Sequence, residues 1–95
     1  MTATRDDWLE AYSTAYDAPP GPIDLPCPNC GHRTLRLVFT GDRDQMVGYA
    51  HFWCDHCGTG IGISRTEIPD GAVIRDIHQP RDQRRPPIPD YQLVQ

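Results

Sequence analysis

The spacing of apolar residues near the start of the chain predicts one short helix. Between Thr4 and Tyr16 the apolar positions recur at steps of three and four residues, which places them on one helix face. Thr4 is suited to cap this helix, and Asp7 follows three residues later, as in a capping box. The apolar positions are Trp8, Leu9, Tyr12, Ala15 and Tyr16. We expect this face either to pack on the rest of the chain or to dock into a partner.

A two-residue alternation then predicts β-strands. Residues 35–39 alternate, residues 46–53 are rich in β-forming and aromatic side chains, and a polar turn over residues 41–44 separates them. A third strand is predicted at residues 61–63, where glycine suits close backbone packing. Residues 73–77 are suited to a fourth strand or an edge pairing. The side chains expected on one face of the first strand are Leu35, Leu37 and Phe39.

Two cysteine pairs carry the most specific chemistry in the chain. The sequence reads Cys-Pro-Asn-Cys-Gly from residue 27 and Cys-Asp-His-Cys-Gly from residue 54. A Cys-x-x-Cys turn brings two thiolates to one side, and two such turns supply the four sulfurs of a tetrahedral metal site. The glycine after each pair can adopt a positive φ, so that backbone N–H groups point back at the sulfurs. We therefore predict one structural Zn²⁺ per chain, bound by Cys27, Cys30, Cys54 and Cys57.

Three other uses of these cysteines remain open at this point. Two disulfides are disfavoured, because residues 1–10 are polar and do not resemble a secretory signal. A redox dithiol is disfavoured because such pairs normally begin a helix in a βαβ unit. Iron is the closer rival, since rubredoxins also hold their metal with two such turns. Their proline-bearing turn is usually the second, whereas here Pro28 lies in the first.

Residues 25–66 resemble a zinc ribbon, in which two Cys-x-x-Cys-Gly knuckles joined by a β-hairpin clasp one metal. The resemblance implies a small, metal-stabilised, mainly β fold built on a three-stranded ribbon. Outside the resemblance, the apolar spacing adds a short N-terminal helix, and the proline- and arginine-rich end of the chain adds an extended C-terminal tail. The corresponding division is a helix with a proline-rich linker over residues 1–22, the ribbon over residues 23–77, and a flexible Pro/Arg-rich tail over residues 78–95. Zinc ribbons serve many functions, so the fold alone does not imply an activity.

The predicted hairpin tip can be compared with the hairpin tip of one group of zinc ribbons. Transcript-cleavage elongation factors carry an adjacent Asp-Glu pair at the tip of a long hairpin, where it helps to hold a catalytic magnesium. Here the tip reads Asp42-Arg43-Asp44, so the adjacent pair is missing. Aspartate is also a common turn residue. A turn is the preferred interpretation of this segment.

Length and charge narrow the functional classes. Ninety-five residues with 38% hydrophobic content make one small domain, whose folding should depend strongly on the metal. The formal charge is −4, which disfavours non-specific binding to nucleic acid. No apolar run approaches the roughly 20 residues of a membrane span. A cytoplasmic protein in a reducing compartment is expected.

We therefore expect a non-enzymatic zinc-binding module that acts through contacts with a protein partner. The alternative is binding of nucleic acid or the transcription machinery through the hairpin, and a third possibility is a rubredoxin-like iron electron carrier. The candidates for stacking on bases are Tyr49, Phe52 and Trp53, with Arg33 and Arg36 for phosphates. His32 and His56 are expected at the surface, and His51 is expected to pack or pair across the hairpin.

Overall fold

The computed structural model describes residues 3–94, which form one helix and a five-stranded mixed sheet. Helix α1 spans Arg5–Tyr16, and the strands are β1 (Leu35–Asp42), β2 (Val47–Cys54), β3 (Thr59–Glu67), β4 (Ile74–Asp76) and β5 (Gln92–Leu93). Their order across the sheet is β4-β1-β2-β3-β5. Within the described range, no helix is long and apolar enough to cross a membrane.

The three central strands lie where the sequence predicts them. β1 pairs antiparallel with β2 in a register that begins at Leu35 opposite Cys54, and β2 pairs antiparallel with β3. Each strand continues beyond its predicted end, because backbone pairing extends into residues with no apolar alternation. The turn between β1 and β2 follows Asp42, and Met46 completes it with a φ of 54°.

The predicted three-stranded sheet is extended by a parallel strand at each edge. β4 pairs with β1 around Phe39, inside the segment predicted as a fourth strand or edge pairing. β5 pairs with β3 around Gly60 and was not predicted. Segments of two or three residues are too short to show an alternating pattern. Their strand conformation depends on backbone partners that are distant in sequence.

Alternation along the strands gives the sheet two different faces. Leu35, Leu37 and Phe39 are buried on one face, as predicted, together with Phe52 and Ile61 of the neighbouring strands. The opposite face carries the intervening side chains of the same strands, namely Arg36, Val38, Thr40, Tyr49, His51 and Trp53, with Arg75 of β4.

Helix α1 packs on the first of these faces. The capping box predicted for Thr4 and Asp7 is present. Trp8 is fully buried and meets the ring of Phe52 edge-on, with ring centroids 5.6 Å apart. The Tyr16 hydroxyl donates to the Glu67 carbonyl at 2.6 Å. Of the two interpretations of the aromatic helix face, packing on the remainder of the chain is confirmed.

The C-terminal segment runs along the sheet rather than away from it. A 3₁₀ turn at Arg81–Gln83 precedes β5. The Tyr91 ring stacks on Trp53 with centroids 5.7 Å apart, and its hydroxyl donates to the Ile61 carbonyl. The segment is extended near its end, as predicted. Its flexibility stays a prediction.

Within β3, glycine is required at position 60 but not at position 62, two residues further along the strand. A Cβ at Gly60 would lie against the Phe52 carbonyl oxygen and 2.6 Å from the Trp53 Cβ, whereas one at Gly62 meets only the Ala50 carbonyl oxygen at 3.9 Å. We expect Gly60→Ala to lower the free energy of unfolding by about 1–3 kcal/mol, because the strands must move apart.

Gly62→Ala is the matched control for this prediction. It should leave the free energy of unfolding unchanged or raise it by about 0.4–1 kcal/mol, because alanine reduces the entropy of the unfolded chain. Chemical denaturation of both metal-loaded variants makes the comparison. Equal losses at the two positions would show that the close approach at Gly60 has no energetic consequence.

Candidate metal centre

The four cysteine sulfurs form a compact cluster at one end of the sheet. All four lie within 4.8 Å of one another. The Cys27 and Cys57 sulfurs are 3.7 Å apart, and so are those of Cys30 and Cys54. A tetrahedral ion with metal–sulfur bonds of about 2.3 Å places its ligands about 3.8 Å apart. The cluster therefore fits one tetrahedral metal ion.

The hairpin brings the two knuckles together. Cys54 is the last residue of β2 and lies opposite Leu35, the first residue of β1, which follows the first knuckle closely. Within each knuckle the glycine N–H donates to the carbonyl of the first cysteine, at 2.9 Å. Gly31 and Gly58 have φ values of 78° and 69°. This is the positive φ that the sequence predicts for both glycines.

Hydrogen bonds already reach two of the sulfurs. The Asn29 N–H donates to the Cys27 sulfur at 3.4 Å, and the Thr34 hydroxyl lies 3.2 Å from the Cys54 sulfur. Burial raises the pKa of the Cys27 thiol to about 12. Burial also acts on Cys54, but hydrogen bonds from Thr34 and from the second knuckle's backbone outweigh it and lower the pKa of that thiol to about 6. These donors suit sulfurs that carry negative charge.

The donor set identifies the class of ion that would fit. Four sulfurs favour a thiophilic metal such as zinc or iron over magnesium or calcium, which prefer oxygen ligands. Such an ion would link the two knuckles, which are separated by the whole β1–β2 hairpin. With four protein ligands it would have no open position for a substrate. The chemistry that fits is structural stabilisation or one-electron transfer.

A disulfide does not account for the cysteines. All four are free, and the 3.7 Å separations far exceed the roughly 2.05 Å of a sulfur–sulfur bond. The first pair also lies in a turn before β1 and not at the start of a helix, which is the usual position of a redox dithiol.

The histidines next to the knuckles lie at the surface, as predicted. His32 and His56 are exposed, and their rings stack on one another with centroids 3.6 Å apart. Neither belongs to the sulfur cluster. His51 pairs across the hairpin, with its Nε2 3.0 Å from the Thr40 hydroxyl, and burial lowers its pKa to about 4.

The residues of the hairpin tip make structural contacts. Asp42 accepts hydrogen bonds from the N–H groups of Asp44 and Gln45, and its second oxygen lies 3.1 Å from His78 Nε2. Arg43 donates to the Ile74 carbonyl at 2.7 Å. The contacts of Asp42 are those of an aspartate in a turn.

The residues considered for nucleic-acid binding are largely engaged elsewhere. Arg33 pairs with Asp24 at 2.8 Å, and Arg36 pairs with Asp55 at 2.7 Å. Phe52 is fully buried and Trp53 is 5% exposed, so neither ring is free to stack on a base. Tyr49 alone of the three aromatics is partly exposed.

Sequence reasoning missed two supporting residues of the metal centre. Asn29 lies inside the first knuckle, where its side-chain oxygen accepts from Trp8 Nε1 at 3.3 Å and from the Ala3 N–H at 3.1 Å. Thr34 reaches the Cys54 sulfur from the start of the hairpin. The position of Asn29 between two ligands was the available signal. The contact of Thr34 with Cys54 depends on the register between β1 and β2, which the sequence alone does not give.

Comparison with known protein families, curated proteins and solved structures finds no match to this chain. The cysteine cluster is therefore the observation from which a function has to be argued. Its geometry supports metal binding, and its donor chemistry narrows the choice of metal.

Proposed function

We propose that this chain is a zinc-ribbon-like module that acts by binding a protein and not by catalysis. The observation that carries the proposal is the cluster of four sulfurs, within 4.8 Å of one another, formed by Cys27, Cys30, Cys54 and Cys57. Catalytic zinc sites keep one position for water or substrate, whereas four-cysteine sites serve structure. Zinc is the preferred ion on this basis, and iron would make the same cluster an electron carrier.

The helix is not the binding surface in this proposal. The buried side of its aromatic face, centred on Trp8, contributes to the core. The remaining candidate is the outer edge of β1. β4 pairs with β1 only from Phe39 onward, so the first half of that edge has no strand partner within residues 3–94.

The backbone of this free edge is oriented for pairing. The Phe39 N–H donates to Val73 and the Gly41 carbonyl accepts from Ile77, both on the β4 side. Backbone groups of alternate residues point to the same edge of a strand. The N–H and carbonyl groups of Leu35 and Leu37 therefore point to the free part of that edge.

A groove of about 630 Å³ lies along this edge, and its walls are rich in proline. The prolines that line it are Pro19, Pro20, Pro22, Pro86, Pro87 and Pro89. Proline has no backbone N–H, so these walls cannot donate to the carbonyl groups of β1. Val73 lines the same groove and is 50% exposed. We assign the groove to an extended, largely apolar segment of a partner protein, added beside β1 as a short strand.

The test is selection of linear peptides on the immobilised, zinc-loaded protein, followed by affinity measurement on two variants. Val73→Arg places a charge in the groove and should weaken binding of the selected peptides at least about tenfold. Leu93→Arg introduces the same charge at an exposed position of β5, outside the groove, and should leave the affinity for the selected peptides unchanged. Peptide binding should also slow hydrogen exchange at the Leu37 amide. Failure to select any peptide, or equal affinity for both variants, would refute binding at this edge.

A further inference from the structure

A second cavity, of about 440 Å³, lies on the sheet face opposite α1 and is lined by several arginine side chains. Its walls come from β2, β4 and the C-terminal segment. The lining residues that matter here are Tyr49, His51, Arg75, Arg81, Arg84 and Arg85. Four of the nine arginines of a chain with net charge −4 therefore surround one cavity. A single carboxylate, that of Asp82, shares the lining.

Arg75 is the most unusual member of this group. It is 9% exposed, and its buried Nε has no hydrogen-bond partner among the described residues. In the sheet it lies beside Thr40, whose other neighbour is Tyr49. A buried guanidinium without an anionic partner is costly, because it loses hydration without regaining electrostatic energy. A ligand that supplied negative charge would offset this cost.

The other three arginines also lack carboxylate partners among the residues that the structure describes. Arg84 donates to the carbonyls of Gln79 and Ile77, and Arg85 donates to those of Asp82 and Arg84. Neutral carbonyls orient these guanidinium groups without cancelling their charge. Over residues 3–94 the arginine–carboxylate pairs involve Arg33 and Arg36 only.

The positive charges act on one another across the cavity. Burial is the main cause that lowers the pKa of Arg75, and the charges of Arg84, Arg81 and Arg85 add to it. His51 contributes no further charge at neutral pH, since burial lowers its pKa to about 4. Its Nε2 is held by the Thr40 hydroxyl. The cavity is thus a concave, strongly cationic site whose lining also includes the apolar side chains of Pro87 and Ile88.

We propose that this cavity binds the phosphate group of a small molecule. Guanidinium groups match phosphate oxygens with paired N–H donors, and several arginines are needed to balance a doubly charged group. A volume of about 440 Å³ is in the range of small-ligand sites and too confined for a folded partner. The acidic remainder of the chain disfavours a long polyanion such as nucleic acid. This assignment is independent of peptide binding at β1.

The experiment measures binding of inorganic phosphate, pyrophosphate and glycerol phosphate to the metal-loaded chain by calorimetry, at constant ionic strength with chloride as the balancing anion. Arg75→Met keeps the length of the side chain and removes its charge, so affinity should fall at least about tenfold. The melting temperature of this variant without phosphate should be equal or higher, because an unpaired buried charge is gone. Tighter binding of glycerol phosphate than of inorganic phosphate would identify an organic phosphate as the ligand.

Two further variants separate loss of the pocket from loss of the fold. Arg81→Gln, at an exposed position of the 3₁₀ turn, should also weaken phosphate binding. Arg65→Gln removes the same charge from an exposed position of β3 outside the cavity and should leave the affinity unchanged. No binding of any phosphate, or equal weakening by all three variants, would overturn the proposal. Stronger binding of acetate or of a single-stranded oligonucleotide than of pyrophosphate would overturn the choice of ligand.

Discussion

Cys54→Ser is expected to abolish metal binding and the cooperative unfolding transition together. Cys54 ends β2, and its buried sulfur is 3.7 Å from that of Cys30 in the other knuckle. Metal binding to four thiolates in a small domain supplies an apparent folding free energy of about 10–16 kcal/mol at neutral pH. This is as large as the whole net stability of a typical small domain, which is about 5–15 kcal/mol. Loss of one ligand should therefore leave the chain largely unfolded.

Native mass spectrometry and far-UV circular dichroism on heating test this expectation. His56→Ala is the matched control, because His56 lies between the ligands of the second knuckle but outside the sulfur cluster. It should keep one metal per chain and an almost unchanged transition. A Cys54→Ser variant that retained both would contradict a structural four-cysteine site. The mass and colour of the wild-type protein distinguish colourless zinc from iron.

Trp8→Ala should produce the second largest effect, a loss of about 3–5 kcal/mol in the free energy of unfolding. Trp8 is fully buried between α1 and the sheet, where its ring meets Phe52 edge-on. Its Nε1 donates to the Asn29 side chain inside the first knuckle. Truncation removes this large apolar contact and leaves a cavity. It also removes the hydrogen bond by which the helix contacts the Asn29 side chain.

Leu9→Ala is the control for this prediction, since the neighbouring side chain on α1 is 36% exposed. We expect a change within about 0.5 kcal/mol, as for most exposed substitutions. Urea denaturation of the zinc-loaded proteins measures both values. Equal effects of the two substitutions would show that the helix is not anchored through Trp8.

The metal centre and the helix are coupled through one side chain. Asn29 donates its backbone N–H to the Cys27 sulfur and accepts from Trp8 with its side chain. The knuckle that supplies two of the clustered cysteines therefore also positions the N-terminal helix. Metal removal should release α1 as well as the hairpin. Far-UV circular dichroism, recorded while a chelator removes the metal, should show helix and strand content falling together.

Local patterns were sufficient to predict the central elements and the grouping of the four cysteines. The apolar spacing of α1, its capping box and the burial of Leu35, Leu37 and Phe39 follow from periodicities that adjacent residues create. The grouping of the cysteines follows from a spacing that a hairpin must close. These features depend on interactions that are local in the chain or repeated along one strand.

Tertiary structure alone decided β5, the partner and direction of β4, and both cavities. β4 and β5 are strands because distant backbone groups pair with them, and their own two or three residues show no alternation. Docking of α1 decided between the two interpretations of its aromatic face. The four arginines of the cationic cavity lie on β4 and in the C-terminal segment, where their spacing predicts only a polar surface.

The sequence by itself thus determined the grouping of the four cysteines, the core hairpin and the helix, because the interactions that specify them act between residues close together in the chain or paired across one hairpin. It did not determine which polar residues converge on one site. That convergence depends on the register of Arg75 beside Thr40 and on the path by which the C-terminal segment returns to the sheet. Both are set by the folded arrangement as a whole, since long-range pairing has no local signature in the chain.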